Sequence, residues 1–382
     1  MVKVLILGQG YVASTFVAGL EKLKKGEIEP YGVPLSNELP IDFKDIEIVG
    51  SYDVDKAKIG KKLSEVVKQY WSDVDSLSDD PAISKGVHLG SVKNLPIEAE
   101  GLEGSMTLKE AVDKLVDEWS KLDPDVIVNT CTTEAFKPFG SKEELLKSIE
   151  NNDKERLTAT QVYAYAAAQY ANKRGGAVFV NVIPTYIAND PGFVELAKES
   201  KLVVFGDDGA TGATPFTADV LSHLAQRNRY VKDVAQFNIG GNMDFLALTD
   251  EGKNKSKEFT KSSIVKDILG YDAPHYIKPT GYLEPLGDKK FIAIHIEYTS
   301  FNGATDELMI SGRINDSPAL GGLLVDLVRL GKIALDRKEY GTAYPVNAFY
   351  MKNPGPFEEK NIPRIIAYEK MRIWAGLKPK WL

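Results

Sequence analysis

The 382 residues are 43% hydrophobic and 26% charged, enough apolar surface to bury a sizeable core and too much for a chain that stays disordered. A net charge of -7 excludes a nucleic-acid binder built on an overall basic face, so any anion must meet locally clustered lysine or arginine. No run of about 18 apolar residues could span a membrane, and the one cysteine, Cys131, excludes an intrachain disulfide. The chain opens on a strand-like run rather than a charged segment followed by an apolar one, so a cytoplasmic protein is expected.

Val2 to Leu7 is a predicted strand, followed by a helix from Ser14 to Lys25, a polar stretch over 26–44 and a strand from Ile46 to Tyr52. A helix is expected to begin near Asp55, before an irregular acidic region over 72–105. Leu108 to Leu122 reads as an amphipathic helix with Ala111, Leu115 and Trp119 on one face. The strand Val126 to Asn129 leads into a long helical stretch, 141–173. The strands Ala177 to Asn181 and Leu202 to Phe205 are apolar throughout, as strands covered on both faces are.

This alternation predicts an α/β fold with a doubly wound parallel sheet of the Rossmann type. From about residue 230 the runs lengthen and alternate, as in Phe291 to Tyr298 and Glu307 to Ile314, which suits a mostly antiparallel, open-faced sheet in an α+β domain. Pro318 to Leu335 carries a helical apolar stripe. The expected organisation is a dinucleotide-binding domain over 1–229, completed by 331–382, and a catalytic and oligomerisation domain over 230–330.

Gly8-Gln9-Gly10-Tyr11-Val12-Ala13 joins the first strand to the first helix, with glycines where a dinucleotide-binding turn is tight and its backbone meets the pyrophosphate. The helix amino end offers unpaired N–H groups to a diphosphate, and the hydroxyls of Ser14 and Thr15 are expected to add donors. Asp53, at the end of the second strand, suits the adenosine ribose hydroxyls and repels a 2'-phosphate, which favours NAD over NADP. Asp53 lies farther from the glycines than the usual distance of roughly 20 residues, the 26–44 stretch accounting for the excess. Thr130 and Thr132 follow a strand end and are expected on the nicotinamide side. Cys131 between them reads as a buried structural thiol rather than a nucleophile.

A second loop, Gly206 to Thr214, also leaves a strand for a helix, and its backbone donors and hydroxyls suit the anion of a phosphorylated substrate. Lys257 and Lys261 are four apart and share a helix face. The four histidines are scattered and form no metal-ligand spacing.

Together these stretches resemble the myo-inositol-1-phosphate synthase family of bacterial and archaeal type. The resemblance rests on Gly8-x-Gly10, Asp53-Val54-Asp55, Phe179 to Pro184, Gly206-Asp207-Asp208, Gly240 to Leu246, Ser256 to Ser262 and Met351 to Pro354, and it runs over nearly the whole chain. It implies a catalytic set of Lys257, Lys261, Lys290, Lys352 and Asp316. It also implies NAD contacts at Asp208 and Asp244 and a substrate-phosphate run at Thr211, Gly212, Ala213 and Thr214. Many members read Lys-Ser-Gly-Gln-Thr at 210–214, so side-chain phosphate contacts at 210 and 213 are not carried over.

The resemblance further implies glucose 6-phosphate as substrate, a metal or monovalent cation in some members, a homotetramer, and a place in inositol and phospholipid biosynthesis. The implied reaction is oxidation at C5 by NAD, enolisation, aldol closure on C1 and re-reduction. Clustered, partly desolvated ammonium groups lower one another's pKa, so one can act as base while others hold oxyanions. On that ground Lys257 is expected to move the C5 proton, with Lys352, assisted by Asp316, supporting that step or the enolisation, and Lys261 and Lys290 binding the phosphate and the C1 oxyanion. Two other functions fit the same motifs: a sugar-phosphate dehydrogenase that releases NADH, and an NAD-sensing regulator without catalysis.

Overall fold

The computed structural model describes residues 1–356 and 359–381, and of residues 258–262 the backbone alone. Among the described residues a parallel sheet of seven strands is built from β1 (Val2–Leu7), β2 (Ile46–Asp53), β3 (Ile83–Lys85), β4 (Val126–Asn129), β5 (Ala177–Asn181) and β6 (Leu202–Phe205). Its seventh strand comes from the far end of the chain, β11 (Gly341–Thr342), and the order is β11-β6-β5-β4-β1-β2-β3. The central strands are apolar at nearly every position because both faces are covered. Val4 and Ile6 of β1 face the core formed with helix α1 (Tyr11–Lys25), α2 (Leu63–Tyr70) and α10 (Asp316–Asp336), whereas Leu5 and Leu7 face α3 (Leu108–Leu122), α4 (Lys142–Glu150), α5 (Ala159–Arg174) and α6 (Pro191–Glu199). Parallel connections at β1 and β4 leave the first layer's turns on one edge, where ligands of such sheets bind.

The second sheet, ordered β10-β9-β7-β8, comprises β7 (Tyr230–Gly240), β8 (His275–Tyr282), β9 (Lys289–Thr299) and β10 (Thr305–Asn315). Two of its pairings are antiparallel, as expected, but β7 and β8 run parallel. The reason is a helical crossover between them, α8 (Met243–Ala247) and α9 (Glu251–Leu269), which returns the chain to the same end. One face of this sheet packs on α7 (Ala213–Ala225) and α9, with Leu221, Leu224, Ile264, Ile277, Ile294 and Ile296 in its core. The other face leaves Phe237, Tyr276 and Met309 exposed. The helices α11 (Tyr344–Tyr350) and α12 (Arg364–Trp374) return to the first sheet's core through Val346, Tyr350 and Met371.

Several expectations change. The stretch 141–173 is two helices, because Asn152 takes a left-handed φ of 53° and Thr158 starts α5 with a reciprocal cap to Gln161. Residues 55–60 form turns rather than a helix start: the Asp55 carboxylate accepts from Ala57 N at 2.9 Å and Gly60 has φ 83°. The expected domain borders would cut α10, whose Leu324, Leu327, Val328 and Leu330 lie in the first core, and would separate α7 from the sheet it covers. We propose borders just before α7 and just before α10.

The polar excursion over 26–44 is fastened to α10 by a buried pair. Asp326 and Arg329 are 0% and 1% exposed and 2.5 Å apart. The carboxylate also accepts from Leu35 N and Tyr350 Oη, both at 2.8 Å, and the guanidinium donates to Ser36 O at 2.7 Å. Asp326→Ala leaves that guanidinium buried and uncompensated, and is expected to cost about 3–5 kcal/mol. Urea unfolding checks it: a lower midpoint at unchanged slope is the expected result.

Candidate active site

A cavity of about 570 Å³ lies along the carboxyl edge of the first sheet and continues under the second. At one end is the first glycine turn. Gly8 has φ 86°, and a Cβ there would stand 2.9 Å from Cys131 Cα and 3.0 Å from Thr130 O, so only glycine lets the two turns touch. Thr130 Oγ1 donates to Leu7 O and Gly8 O, locking them together. The amino end of α1 has no side-chain cap, and its N–H groups remain available to an anion.

Gly8, Gly10, Tyr11, Val12, Asp53, Thr130, Thr132, Asp208 and Asp244 all line the cavity. Ala13 and Ser14 do not. Ser14 is fully buried behind the turn, where its hydroxyl accepts from Gln9 Nε2 at 3.1 Å, and Thr15 Oγ1 accepts from Trp71 Nε1 at 2.9 Å. The expectation that both hydroxyls serve a diphosphate is therefore corrected: that of Ser14 supports the turn, and that of Thr15 anchors Trp71 at the end of α2. Burial pushes the Cys131 thiol up, which fits a structural thiol.

Asp53 accepts from Val54 N and Asp55 N at 2.7 and 2.9 Å and from Lys58 Nζ at 3.2 Å. Lys58 also donates to Gln9 O at 3.1 Å, bridging the carboxylate to the glycine turn. Burial opposes the Lys58 charge, but Asp53, Tyr70 and Asp55 hold its pKa above the ordinary lysine value. Val54, Val87, Leu95 and Ile97 give this end an apolar wall.

The other end is ionic. Lys352 Nζ is 2.7 Å from Asp208 Oδ1; Lys257 Nζ is 3.5 Å from the same atom and 3.6 Å from Asp244 Oδ2; Lys290 Nζ is 2.5 Å from Asp316 Oδ1. The three ammonium groups thus face one space from α9, β9 and the segment after α11. The side chain of Lys261 lies outside the described residues. Asp316 pairs directly with Lys290 and Lys352 with Asp208, so Asp316 acts on Lys352 through space rather than by contact.

Two adjacent carboxylates are put to different uses. Asp207 is enclosed by N–H donors from Asn181, Ile187, Ala188 and Asn189, and burial pushes its pKa up to about 7. Asp208, with φ 62°, points the other way, onto the lysines. The backbone pairs Lys352 N with Asp208 O at 2.7 Å and Asn353 N with Asp207 O at 3.1 Å, so the loop and Lys352 move as one piece.

The pKa directions separate the lysines. Burial drives Lys352 below the ordinary value, and Lys257 and Lys290 add to the fall against the pull of Asp208. Burial acts the same way on Lys257, but Asp208, Asp244 and Asp316 outweigh it and raise its pKa. The expectation puts proton transfer on Lys257; the directions instead make Lys352 the one whose charge burial opposes more successfully. Burial also works against the charge of Asp316, yet Lys290, Lys352 and Lys257 hold its carboxyl well below the usual range.

The run 211–214, expected to take the phosphate, borders this end. Gly212 has φ 64°, a conformation that favours glycine, and a Cβ there would press on the flexible end of Lys290, 2.6 Å from its Nζ. Thr211 Oγ1 donates to Asp316 at 3.2 Å, and Thr211, Ala213 and Thr214 line the cavity at the uncapped start of α7.

Residues that the motifs did not single out also matter. Asp288 accepts from Asn242 Nδ2 at 3.0 Å and from Ser317 N and Oγ at 2.8 and 2.6 Å, joining α8, β9 and α10. Lys253 is buried one turn before Lys257, a place that extending the lysine spacing backwards would have found. Lys58 had no such signal. Among the described residues no group of three or more His, Cys, Asp or Glu could hold a metal ion, and no helix is long and apolar enough to cross a membrane.

Comparison with known proteins gives a consistent picture. Residues 212–317 match the family model described as myo-inositol-1-phosphate synthase. The chain is 28% identical to an inositol-3-phosphate synthase of Corynebacterium glutamicum, covering 98% of each, and 28% identical to one of Mycobacterium tuberculosis, covering 92% and 91%. A crystal structure of a myo-inositol-1-phosphate synthase-related protein from Thermotoga maritima is 91% identical over the whole of both chains, with a TM-score of 0.98. The inositol-3-phosphate synthase of Caenorhabditis elegans shares the fold at 17% identity, with a TM-score of 0.81 over 100% of this chain and 86% of that one.

Proposed function

The chain belongs to the myo-inositol-1-phosphate synthase family, and from that premise we propose that it converts glucose 6-phosphate to inositol 1-phosphate with bound NAD and no net redox change. The observation that carries this reading is one cavity with an uncapped glycine turn at one end and Lys257, Lys290 and Lys352 at the other. A binding-only regulator has no use for buried ammonium groups held beside a phosphate-type loop.

The residues at the first end fit NAD. The free amino end of α1 suits the diphosphate, Asp53 suits the ribose hydroxyls, and Val54, Val87, Leu95 and Ile97 suit an adenine ring. When bound, NAD supplies reversible hydride exchange at C5 of the sugar.

At the second end the roles follow from charge. Lys352, whose pKa burial lowers below the ordinary lysine value, is suited to accept the proton of the C5 hydroxyl. Lys257, kept cationic by its carboxylates, is suited to hold an oxyanion, and Lys290 with Thr211, Thr214 and the start of α7 suits the substrate phosphate. Lys261 joins the phosphate group by resemblance. The C1 aldehyde oxygen, negative once C6 attacks, needs one of these cations. Each described ammonium faces a carboxylate, so an arriving phosphate exchanges one counter-charge for another. Enclosure between the two sheets keeps water from the intermediates. The open face of the second sheet, with Phe237, Tyr276 and Met309, is the surface we assign to a homotetramer.

NMR of the product from carbon-labelled glucose 6-phosphate, with NAD in catalytic amount, tests the reading. A labelled cyclitol phosphate with no accumulation of NADH is the expected result. NADH growing in proportion to sugar consumed would overturn it in favour of a net sugar-phosphate dehydrogenase.

A further inference from the structure

Lys253 lies one turn before Lys257 on α9 and has no role in the chemistry assigned above. Its residue is 6% exposed, and its ammonium donates to the backbone carbonyl of Ser91 across 162 residues of chain. Its carboxylate neighbours Asp250, Glu134 and Asp244 act on it through space, and burial prevails, lowering its pKa. Burying an ammonium against a neutral carbonyl costs stability that a surface lysine does not incur. Lys255, two residues on, shows the inexpensive alternative in its exposed pairing with Glu251 at 2.7 Å.

The partner gives the contact its meaning. Ser91 belongs to the segment 86–92 that follows β3; the first layer holds residues 86–89, and Ser91 lies just beyond them. Gly86 N donates to Asp53 O at 3.0 Å, Val87 N to Tyr163 Oη at 2.6 Å, and His88 N and Leu89 N to Glu103 Oε1 at 3.2 and 2.9 Å. Val87 and Ser91 line the nucleotide end of the cavity, and Lys257 lines the lysine end. One buried side chain therefore joins two elements that face two different ligands.

We propose that Lys253 is a positioning residue that ties the wall of the nucleotide end to the helix carrying Lys257, so that dinucleotide and sugar phosphate bind with positive coupling. This rests on the function proposed above. A nucleotide that settles against segment 86–92 fixes Ser91, through it Lys253, and one turn later Lys257. By linkage the sugar phosphate must strengthen nucleotide binding by the same factor.

The test is a titration of the whole protein with NADH, followed by its fluorescence, with and without saturating glucose 6-phosphate. The reduced nucleotide cannot begin the oxidation, so the ternary complex stays unreacted. The parent protein is expected to bind NADH about fivefold or more tightly with the sugar phosphate present, and Lys253→Met to bring that ratio within about twofold of one. Each ligand alone should bind the variant within about threefold of the parent, because Lys253 touches neither. Lys253→Arg, which can still reach a carbonyl, should keep the coupling. Lys253→Gln, too short to reach, should lose it and serves if the methionine variant does not fold. Coupling absent from the parent, or unchanged in both shortened variants, overturns the proposal. A parent that binds no NADH overturns the function itself, a result distinct from binding without coupling.

Discussion

Lys352→Met is expected to lower turnover by about 10²–10⁴-fold, the usual contribution of a positioned acid–base group, while leaving the protein at least as resistant to heat as the parent. The two halves have one cause. Burial, with help from Lys257 and Lys290, lowers the pKa of Lys352 in the folded state. Below that folded value the lysine is charged in both states, and its burial cost is felt in full. As pH rises from the folded value toward the ordinary lysine value, the unfolded chain holds a proton that the native protein does not, and stability increases. Methionine removes the cost at neutral pH, so the variant's advantage should shrink in alkaline buffer. Asp208 is not left alone, because Lys257 stays 3.5 Å away. Thermal melts at neutral and alkaline pH, beside steady-state turnover, check both halves. A melting temperature clearly below the parent's at neutral pH would mean that the Lys352 ammonium stabilises the fold, and its assignment as base would lose its ground. The acid limb of the parent's rate profile should rise with pH, and the residual activity of the variant should lack that limb.

This outcome also marks where the sequence stops being legible. The first glycine turn, the apolar parallel strands and the helix Leu108–Leu122 follow from local rules, since alternation, period and turn chemistry act over a few residues. β3 and β11, three and two residues long, carry no usable period and exist through their neighbours. The parallel pairing of β7 and β8 depends on where α9 packs, which hydropathy does not state. The four lysines could be named by resemblance, but not who faces whom. That Asp316 takes Lys290, 26 positions away, and Asp208 takes Lys352, 144 positions away, is decided by tertiary packing. The pKa order of Lys257 and Lys352 follows from those partners. So does the burial of Ser14 and Thr15 behind the turn, where a motif shows hydroxyl groups without showing their direction.

Asp208→Asn probes the partner side of the same pairing and should give a loss of stability comparable to that of Asp326→Ala. Asp208 has φ 62°, a conformation that asparagine adopts readily, so the backbone of the loop has no reason to change. What disappears is the charge facing two buried ammonium groups. Lys257 keeps Asp244 at 3.6 Å, but Lys352 loses its 2.7 Å partner. Removing one member of a buried pair costs about 3–5 kcal/mol, and that cost is expected here at neutral pH by denaturant unfolding. Without Asp208 the folded-state pKa of Lys352 falls further below its unfolded value. The variant must therefore regain stability over a wider alkaline interval than the parent, and the gap between them narrows as pH rises. Inorganic phosphate offers a second measure, because an anion seated among the lysines replaces part of the missing charge. It should raise the variant's midpoint more than the parent's, by an amount set by concentration over dissociation constant. A loss below about 1 kcal/mol that ignores both pH and phosphate would fall within the range of exposed ion pairs, and Asp208 would not be the counter-ion that keeps the lysine end of this cavity charged and assembled before substrate arrives.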